Sequence, residues 1–285
     1  MKIGISSYSL NKAIRAGELD LPGTLSWAAE NGAEHVEITP MQTDLTCNPE
    51  LVETLVRRSR ELGVELSGYT IGANFVAESE EAFLAEIERV KRHVEVAAAL
   101  GVKRMRHDVA SRPVKEASVA RFEADLPRLI HACREVADHA RSHGVVTSVE
   151  NHGYHMQASE RVVRLVEAVD RENFRVTIDI GNFLCVDEEP LLAVANVLPL
   201  ASIVHFKDFY RRRPESDPGT GWFRSKAGYH LRGAIVGHGD IDIAAVARLI
   251  KGSGFDGFVS LEFEGMEDCR TGAKIGLENL RRYLA

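Results

Sequence analysis

The chain has 285 residues, of which 45% are hydrophobic and 27% are charged. This length and balance suit one large domain or two small ones, and they exclude a disordered, collagen-like or coiled-coil protein. Lysine and arginine number 35 against 42 aspartates and glutamates, which gives a formal net charge of −7. Because basic contacts with phosphates supply most of the affinity for nucleic acids, we expect no nucleic-acid partner.

The sequence also argues against a membrane protein and a disulfide-rich one. No apolar run reaches the roughly 18 residues of a membrane span, and the first residues lack the apolar stretch of a secretory signal. The four cysteines are far apart and form no CxxC pair: Cys47, Cys133, Cys185 and Cys269. We therefore expect a cytoplasmic protein with reduced thiols and no membrane partner. The sequence leaves homo-oligomer formation as a possibility, since no feature in it defines an interface.

Short β-rich runs recur along the whole chain and alternate with helical patterns. Several runs, such as Val176–Ile180, are almost continuously apolar, which is typical of strands buried on both faces of a parallel sheet. We predict eight strands, at Lys2–Ser6, His35–Thr39, Val64–Thr70, Val102–Val109, Val145–Asn151, Phe174–Ile180, Ile203–Asp208 and Phe258–Phe263.

Capping residues mark the helices between these strands. Ser79 can cap a helix over Glu80–Leu100, and Gly101 follows it where a left-handed residue is favoured. A long helix over Ser118–His143 contains Pro127, which is expected to kink or split it. Further helices are predicted at Leu21–Glu30, between Asn48 and Gly63, and at Ser159–Asp170, Glu188–Val197, Ile241–Lys251 and Ala273–Tyr283.

Eight strand–helix alternations predict an α/β fold, a single (β/α)₈ barrel domain over residues 1–285. The alternative is an open, doubly wound sheet, but no GxGxxG phosphate turn follows the first strand. The longest stretch predicted to be irregular, Phe209–Asp240, follows the seventh strand and should lie at the mouth of the barrel. There Trp222 and Phe223 could form an apolar lid or fasten the loop to the barrel.

Charged or imidazole side chains stand where the last four predicted strands end. Glu150 ends the fifth strand, Asp179 the sixth, His205 the seventh and Glu262 the eighth. The C-terminal ends of barrel strands meet on one face, so these side chains should lie close together. Buried carboxylates raise one another's pKa unless a cation is present. We therefore predict one divalent metal ion, with Mn²⁺ preferred and Mg²⁺, Co²⁺ or Zn²⁺ as alternatives.

The same segments carry a family resemblance. The motifs GISSYSL, VEN, DIGN, HFKD, GHGDID and SLEFEG resemble those of the xylose-isomerase-like barrels, and the resemblance covers essentially the whole chain. That superfamily contains sugar and sugar-phosphate isomerases and epimerases, inosose dehydratases and AP endonucleases. The resemblance implies that Glu150, Asp179, His205 and Glu262 bind one divalent ion. It also implies that the two glutamates can act as catalytic acid and base.

Several other polar residues are candidates for contacts with a substrate. Glu37 ends the second strand and His107 the fourth, although a structural role is an alternative for each. Lys207 either approaches a metal-bound oxygen or pairs with a neighbouring carboxylate. Asn182 stands where 3-epimerases of the superfamily often carry histidine. Because an asparagine cannot carry a proton near neutral pH, it weakens a 3-epimerase assignment.

Three further candidates lie in the segment after the seventh strand. By the resemblance, Arg211 occupies the place of an arginine that contacts substrate in epimerases, although it also belongs to a cluster of solvated charges. His230 and Arg232 could receive a polar or anionic group of the substrate. Asp240, in the GHGDID motif, is predicted to cap the next helix.

The predicted chemistry follows from the metal. An ion held by carboxylates can bind two oxygens of an α-hydroxy carbonyl compound and stabilise the enediolate that forms when a carbon-bound proton leaves. With Glu150 as the preferred base and Glu262 opposite it, we predict a divalent-metal-dependent isomerase or epimerase of a sugar or sugar phosphate. A dehydratase or lyase acting on a keto-polyol or keto-sugar shares the first half of this mechanism and is the alternative. A non-enzymatic sugar-binding barrel and an AP endonuclease are less favoured.

Overall fold

Eight parallel strands close into a barrel in the computed structural model, which describes residues 1–285. The barrel strands are β1 (Lys2–Ser6), β2 (His35–Ile38), β3 (Glu65–Ile71), β4 (Arg104–His107), β5 (Val146–Glu150), β6 (Phe174–Asp179), β7 (Ala201–Phe206) and β11 (Phe258–Leu261). Each strand pairs with the next barrel strand along the chain, and β11 closes the ring against β1. The closed order confirms the predicted (β/α)₈ barrel and excludes the open sheet.

Helices surround the barrel and cover its outer face. They are α1 (Asn11–Arg15), α2 (Leu21–Glu30), α3 (Pro49–Leu62), α4 (Glu80–Ala99), α5 (Val119–Ser142), α6 (Ser159–Val169), α7 (Pro190–Val197), α8 (Ile243–Gly252) and α9 (Cys269–Leu284). Ser79 caps its helix as predicted, and Asn48 caps α3 in the same way, since each side chain accepts a hydrogen bond from a backbone amide of the first turn. None of the helices combines the length and the apolar character that crossing a bilayer requires.

Pro127 lies inside α5 without ending it, so the helix is not split. A proline lacks the amide hydrogen that would bond to the carbonyl four residues earlier. Pro127 is exposed, and that carbonyl can therefore be hydrated. The helix is continuous because its apolar residues pack against the barrel on the opposite face.

The segment 209–240, predicted to be irregular, forms a small antiparallel sheet instead. Its strands are β8 (Asp208–Arg212), β9 (Phe223–Arg224) and β10 (His230–Ala234), in the order β8-β10-β9. A Cβ atom on Gly233 would lie 2.4 Å from the backbone oxygen of Glu264. The sheet therefore packs closely on the chain that leaves β11, at the mouth of the barrel.

The predicted cap of α8 is wrong by two residues. Asp242 caps the helix, because its side chain accepts a hydrogen bond of 2.8 Å from the amide of Ala245. Asp240 instead accepts bonds from the amide of Arg211 and the guanidinium of Arg212. Asp240 thus links the turn that precedes α8 to β8, and the helix begins after this turn.

Candidate metal centre

Four predicted residues meet at the C-terminal end of the barrel. Glu150 ends β5, Asp179 ends β6, His205 lies in β7 and Glu262 directly follows β11. These strands are neighbours in the barrel, and the ligand atoms of the four residues all lie within 4.8 Å of one another. All four side chains are buried. The cluster therefore concentrates three carboxylates and one imidazole at one point.

The donor atoms of this cluster fit a divalent cation. His205 Nδ1 lies 3.2 Å from Glu262 Oε2 and 3.9 Å from Glu150 Oε2, and it has no hydrogen-bond partner. Buried polar atoms are nearly always satisfied, so an unpaired nitrogen among carboxylates points to a ligand. One nitrogen and several carboxylate oxygens suit hard or borderline divalent ions. Glu150, Asp179, His205 and Glu262 could therefore hold one such ion.

Glu37 lies beneath the cluster and orients His205. Its Oε2 atom is 2.7 Å from His205 Nε2, and the carboxylate also accepts hydrogen bonds from Ser260 and Thr70. Burial by itself would lower the pKa of His205, but the charges of Glu37 and Glu262 raise it well above its ordinary value. Glu37 is fully buried, and of the two roles that the sequence left open its contacts favour the structural one, holding the His205 ring.

Lys207 lies among the carboxylates of the cluster. Its Nζ atom is 2.9 Å from Asp179 Oδ2, 2.7 Å from Glu262 Oε1 and 3.3 Å from Glu264 Oε2. Of the two roles that the sequence left open, the structure shows the pairing with carboxylates. Burial alone would raise the pKa of Glu262, but Lys207 and His205 hold that pKa well below its ordinary value. Glu262 is therefore ionised at neutral pH.

Glu150 has a different environment. Arg106 Nε lies 2.6 Å from Glu150 Oε2, and the Asn182 amide donates a hydrogen bond of 2.9 Å to Oε1. Burial raises the pKa of Glu150 to about 7, with Arg106 opposing this rise and Glu262 adding to it. The two glutamates thus have pKa values pushed in opposite directions, which is the pattern of an acid–base pair. Asn182 thus lies at the edge of the cluster, and its predicted contact with a substrate stays a prediction.

Arg106 is a residue of the site that the sequence analysis missed. Its guanidinium lies between Glu150 and Asp108, with 2.8 Å separating Nη2 from Asp108 Oδ1. Asp108 in turn lies 3.1 Å from Nδ1 of His152, which is half exposed. Strand alternation places Arg106 on the same face of β4 as Arg104, but it does not by itself say which face points into the barrel.

His107 faces the other side of the same strand. Its ring packs beside Phe75 and Phe174, and its Nδ1 atom lies 2.9 Å from the carbonyl oxygen of Asp108. Burial lowers the pKa of His107 to about 4. Of the two roles that the sequence left open for His107, these contacts favour a neutral core histidine over a substrate contact.

Arg211, His230 and Arg232 lie on the small sheet, and the structure does not bring them into the cluster. The Arg211 guanidinium lies 3.8 Å from the ring centroid of Tyr229. Arg232 lies 4.8 Å from the ring of Tyr210 and 5.0 Å from that of Trp222. His230 is buried and pairs in register with strands β8 and β9.

A cavity of about 380 Å³ lies between the small sheet and the chain that follows β11. Arg232, Tyr8, Phe223 and Glu264 are among its lining residues. Glu264 also contacts Lys207, but none of the four residues of the cluster lines the cavity. Its volume is within the range of sites for small molecules. Arg232 therefore stays a candidate for a substrate contact at some distance from the cluster. Phe223 likewise stays a candidate for the apolar lid.

Known proteins share this architecture. A family described as "Xylose isomerase-like TIM barrel" matches residues 25–283. The 3-oxo-isoapionate decarboxylase of Pectobacterium atrosepticum is 23% identical over 257 residues, which cover 88% of this chain and 81% of that protein.

Two solved structures show the likeness in three dimensions. The probable 3-DHS dehydratase of Bacillus anthracis has a TM-score of 0.76 at 16% identity and 99% coverage of both chains. The D-psicose 3-epimerase of Clostridium cellulolyticum H10 has a TM-score of 0.76 at 16% identity, covering 100% of this chain and 99% of that one. At such identities the two structures show a shared fold alone. The family match over most of the sequence shows more: this chain belongs to the xylose isomerase-like TIM barrel family.

Proposed function

We propose that the protein is a divalent-metal-dependent isomerase or epimerase of a sugar or sugar phosphate. The observation that carries this proposal is the buried cluster of three carboxylates and one imidazole, which places the two glutamates, Glu150 and Glu262, at one candidate metal site. Mn²⁺ is the ion that we propose, since the ligand set is dominated by oxygen and includes one imidazole. A small sugar or polyol is the proposed partner.

The two glutamates have complementary roles in this reaction. Glu262, ionised beside Lys207, accepts a proton from the carbon next to the substrate carbonyl. Glu150, the other glutamate of the cluster, is the acid that returns a proton to the opposite face or to the adjacent carbon. In the reverse direction the two exchange roles, so that Glu150 is the base. An ion bound at the cluster would stabilise the negative charge that develops on the substrate oxygens.

A lyase reaction on a keto-sugar or keto-polyol is the second candidate. Asn182 favours it, because this residue holds Glu150 by a hydrogen bond but cannot carry a proton as histidine does. One relative that matches 88% of this chain is also a decarboxylase. In a dehydration, the charge left on the α-carbon after proton removal expels a β-hydroxyl, which leaves as water. In a decarboxylation, the carbon–carbon bond to the substrate carboxylate breaks, carbon dioxide leaves, and the electron pair stays on the substrate as an enolate that then takes up a proton.

One experiment separates the two candidates. Protein loaded with Mn²⁺ is incubated in D₂O with a panel of aldoses, ketoses, their phosphates and keto-polyols, and the products are followed by NMR. Deuterium at the α-carbon without loss of water or carbon dioxide supports the isomerase or epimerase. An unsaturated or shortened product supports the lyase.

Matched variants show whether the cluster is responsible. We expect Glu262→Gln to abolish exchange, whereas Glu65→Gln, which changes an exposed glutamate of β3, should leave it unchanged. If folded, metal-loaded protein shows neither exchange nor turnover across the panel, both enzymatic proposals fail and a sugar-binding barrel is favoured.

A further inference from the structure

A second group of metal-ligating side chains lies on the outside of the barrel, between α4 and α5. His139 and His143 are one turn apart at the C-terminal end of α5, and Glu95 lies on α4. The ligand atoms of these three residues all lie within 4.8 Å of one another. This end of α5 leads into the start of β5, so the group is at the opposite end of the barrel from Glu150.

The three side chains of this group do not satisfy one another's hydrogen-bonding capacity. Glu95 Oε1 lies 3.6 Å from His139 Nε2, beyond hydrogen-bond distance, and the rings of His139 and His143 have centroids 4.8 Å apart. His139 Nε2 is buried and has no hydrogen-bond partner. Since buried polar atoms are normally satisfied, this nitrogen needs a partner located between the two helices.

The chemistry of the three side chains favours a cation as that partner. Two imidazoles and one carboxylate are a known ligand set for Zn²⁺, which takes water as its fourth ligand. Histidines four residues apart lie on one face of a helix, as in zinc-binding helices. The negative end of the α5 dipole also favours a cation at this position.

Neighbouring contacts already fix the distance between the two helices. One turn towards the N-terminal ends of the helices, Lys91 on α4 lies 3.0 Å from Glu135 on α5. Lys91 also lies 3.0 Å from Glu88 on its own helix, so its charge is balanced by carboxylates. The Lys91–Glu135 pair therefore holds α4 and α5 at a separation that lets Glu95 reach His139.

We propose that Glu95, His139 and His143 bind a borderline divalent cation, with Zn²⁺ as the preferred ion, and that the bound ion ties α4 to α5. This site is separate from the barrel cluster and does not depend on the function proposed for it. Its ligands are surface side chains, so their replacement leaves the barrel core intact.

In the test, protein that carries no affinity tag is titrated with ZnCl₂, and binding is measured by calorimetry. The wild type is compared with His139→Ala/His143→Ala, and the barrel cluster is intact in both proteins. We expect the wild type to bind one more Zn²⁺ per chain than the double variant. We expect Glu95→Gln to weaken binding at this second site by about tenfold or more.

The control is His131→Ala, which removes an exposed imidazole of α5 that lies outside the group. It should keep the stoichiometry of the wild type. Thermal unfolding is a second measurement, since a bound ion that joins the helices raises the Tm of the wild type more than that of the double variant. Equal stoichiometry and equal Zn²⁺-dependent shifts in Tm for both proteins would overturn the proposal.

Discussion

Glu37 has no exposed surface, yet its carboxylate sets which nitrogen of His205 faces the candidate metal centre. Carboxylates that hold a ligating histidine in this way fix its tautomer and its ring orientation. We predict that Glu37→Gln lowers the affinity for Mn²⁺ by about 10- to 100-fold, measured by calorimetry. Glu65→Gln is the control, because this glutamate is exposed at the start of β3. An affinity unchanged in Glu37→Gln would show that His205 does not need this support.

The pKa values of the cluster predict that metal affinity depends on pH. Glu150 has a pKa of about 7, and that of His205 lies well above its ordinary value, so both carry protons that must leave when an ion binds. The affinity for Mn²⁺ should therefore fall as the pH is lowered from about 8 to 6, by roughly tenfold per pH unit for each proton displaced.

Proton release can be counted by calorimetry in two buffers with different ionisation enthalpies. Glu150→Gln removes one of the two protonated groups, and any binding that it retains should release fewer protons than the wild type. Glu262 should contribute nothing in this range, because Lys207 and His205 keep its pKa well below its ordinary value. Mn²⁺ binding at pH 6 without proton release would contradict the assignment.

At the level of single residues, the sequence predicts the candidate metal ligands better than the residues that contact and orient those ligands. Glu150, Asp179, His205 and Glu262 follow apolar strands, so their positions in the barrel follow from strand order alone. Arg106 and His107 are adjacent polar residues on one short strand, and only the direction of alternation decides which of them faces the axis. No local signal fixed that direction, and the sequence analysis missed Arg106.

At the level of secondary-structure elements, the conformation of the turn between β10 and α8 depends on one buried carboxylate. Asp208 Oδ2 accepts hydrogen bonds of 2.9 Å from the amides of Gly237 and Gly239, and Oδ1 accepts one of 2.8 Å from Phe209. A Cβ atom on Gly239 would lie 2.1 Å from Asp208 Oδ1. The turn thus wraps closely around this side chain, which explains why glycine is required there.

We predict that Asp208→Asn destabilises the fold by about 1–3 kcal/mol, because one buried acceptor oxygen is replaced by a donor that faces backbone amides. Urea denaturation measures the change. Glu215→Gln makes the same carboxylate-to-amide change at an exposed position of the same segment and should alter stability little. If both variants unfold at the same urea concentration as the wild type, Asp208 does not anchor the turn.

The helices were easier to predict than the strands β8, β9 and β10. Helix ends carry their own signals, as Ser79 and Asn48 show. The three short strands are rich in arginine and glycine and lack regular apolar alternation. They form because β8 continues from β7 and because Gly233 lets β10 approach the backbone of Glu264. Such tertiary contacts override the weak local preference for a loop.

At the level of the whole molecule, the barrel gathers negative charge that the sequence distributes along its second half. β5, β6, β7 and β11 are neighbours in the closed sheet, so the three carboxylates and one imidazole near their C-terminal ends share one buried volume. Lys207 and Arg106 balance part of this charge. A divalent cation would balance the remainder, and binding would therefore favour the folded state over the unfolded chain.

We predict that Mn²⁺ at about 100 times its Kd stabilises the protein by about 2.7 kcal/mol and raises the Tm by several degrees. Thermal unfolding followed by circular dichroism measures the shift, and a chelator should reverse it. Glu150→Gln/Asp179→Asn lacks two of the four ligands and should show no Mn²⁺-dependent shift. His139→Ala/His143→Ala keeps the cluster and should respond to Mn²⁺ as the wild type does. An equal shift in the cluster variant would mean that Mn²⁺ acts elsewhere on the molecule.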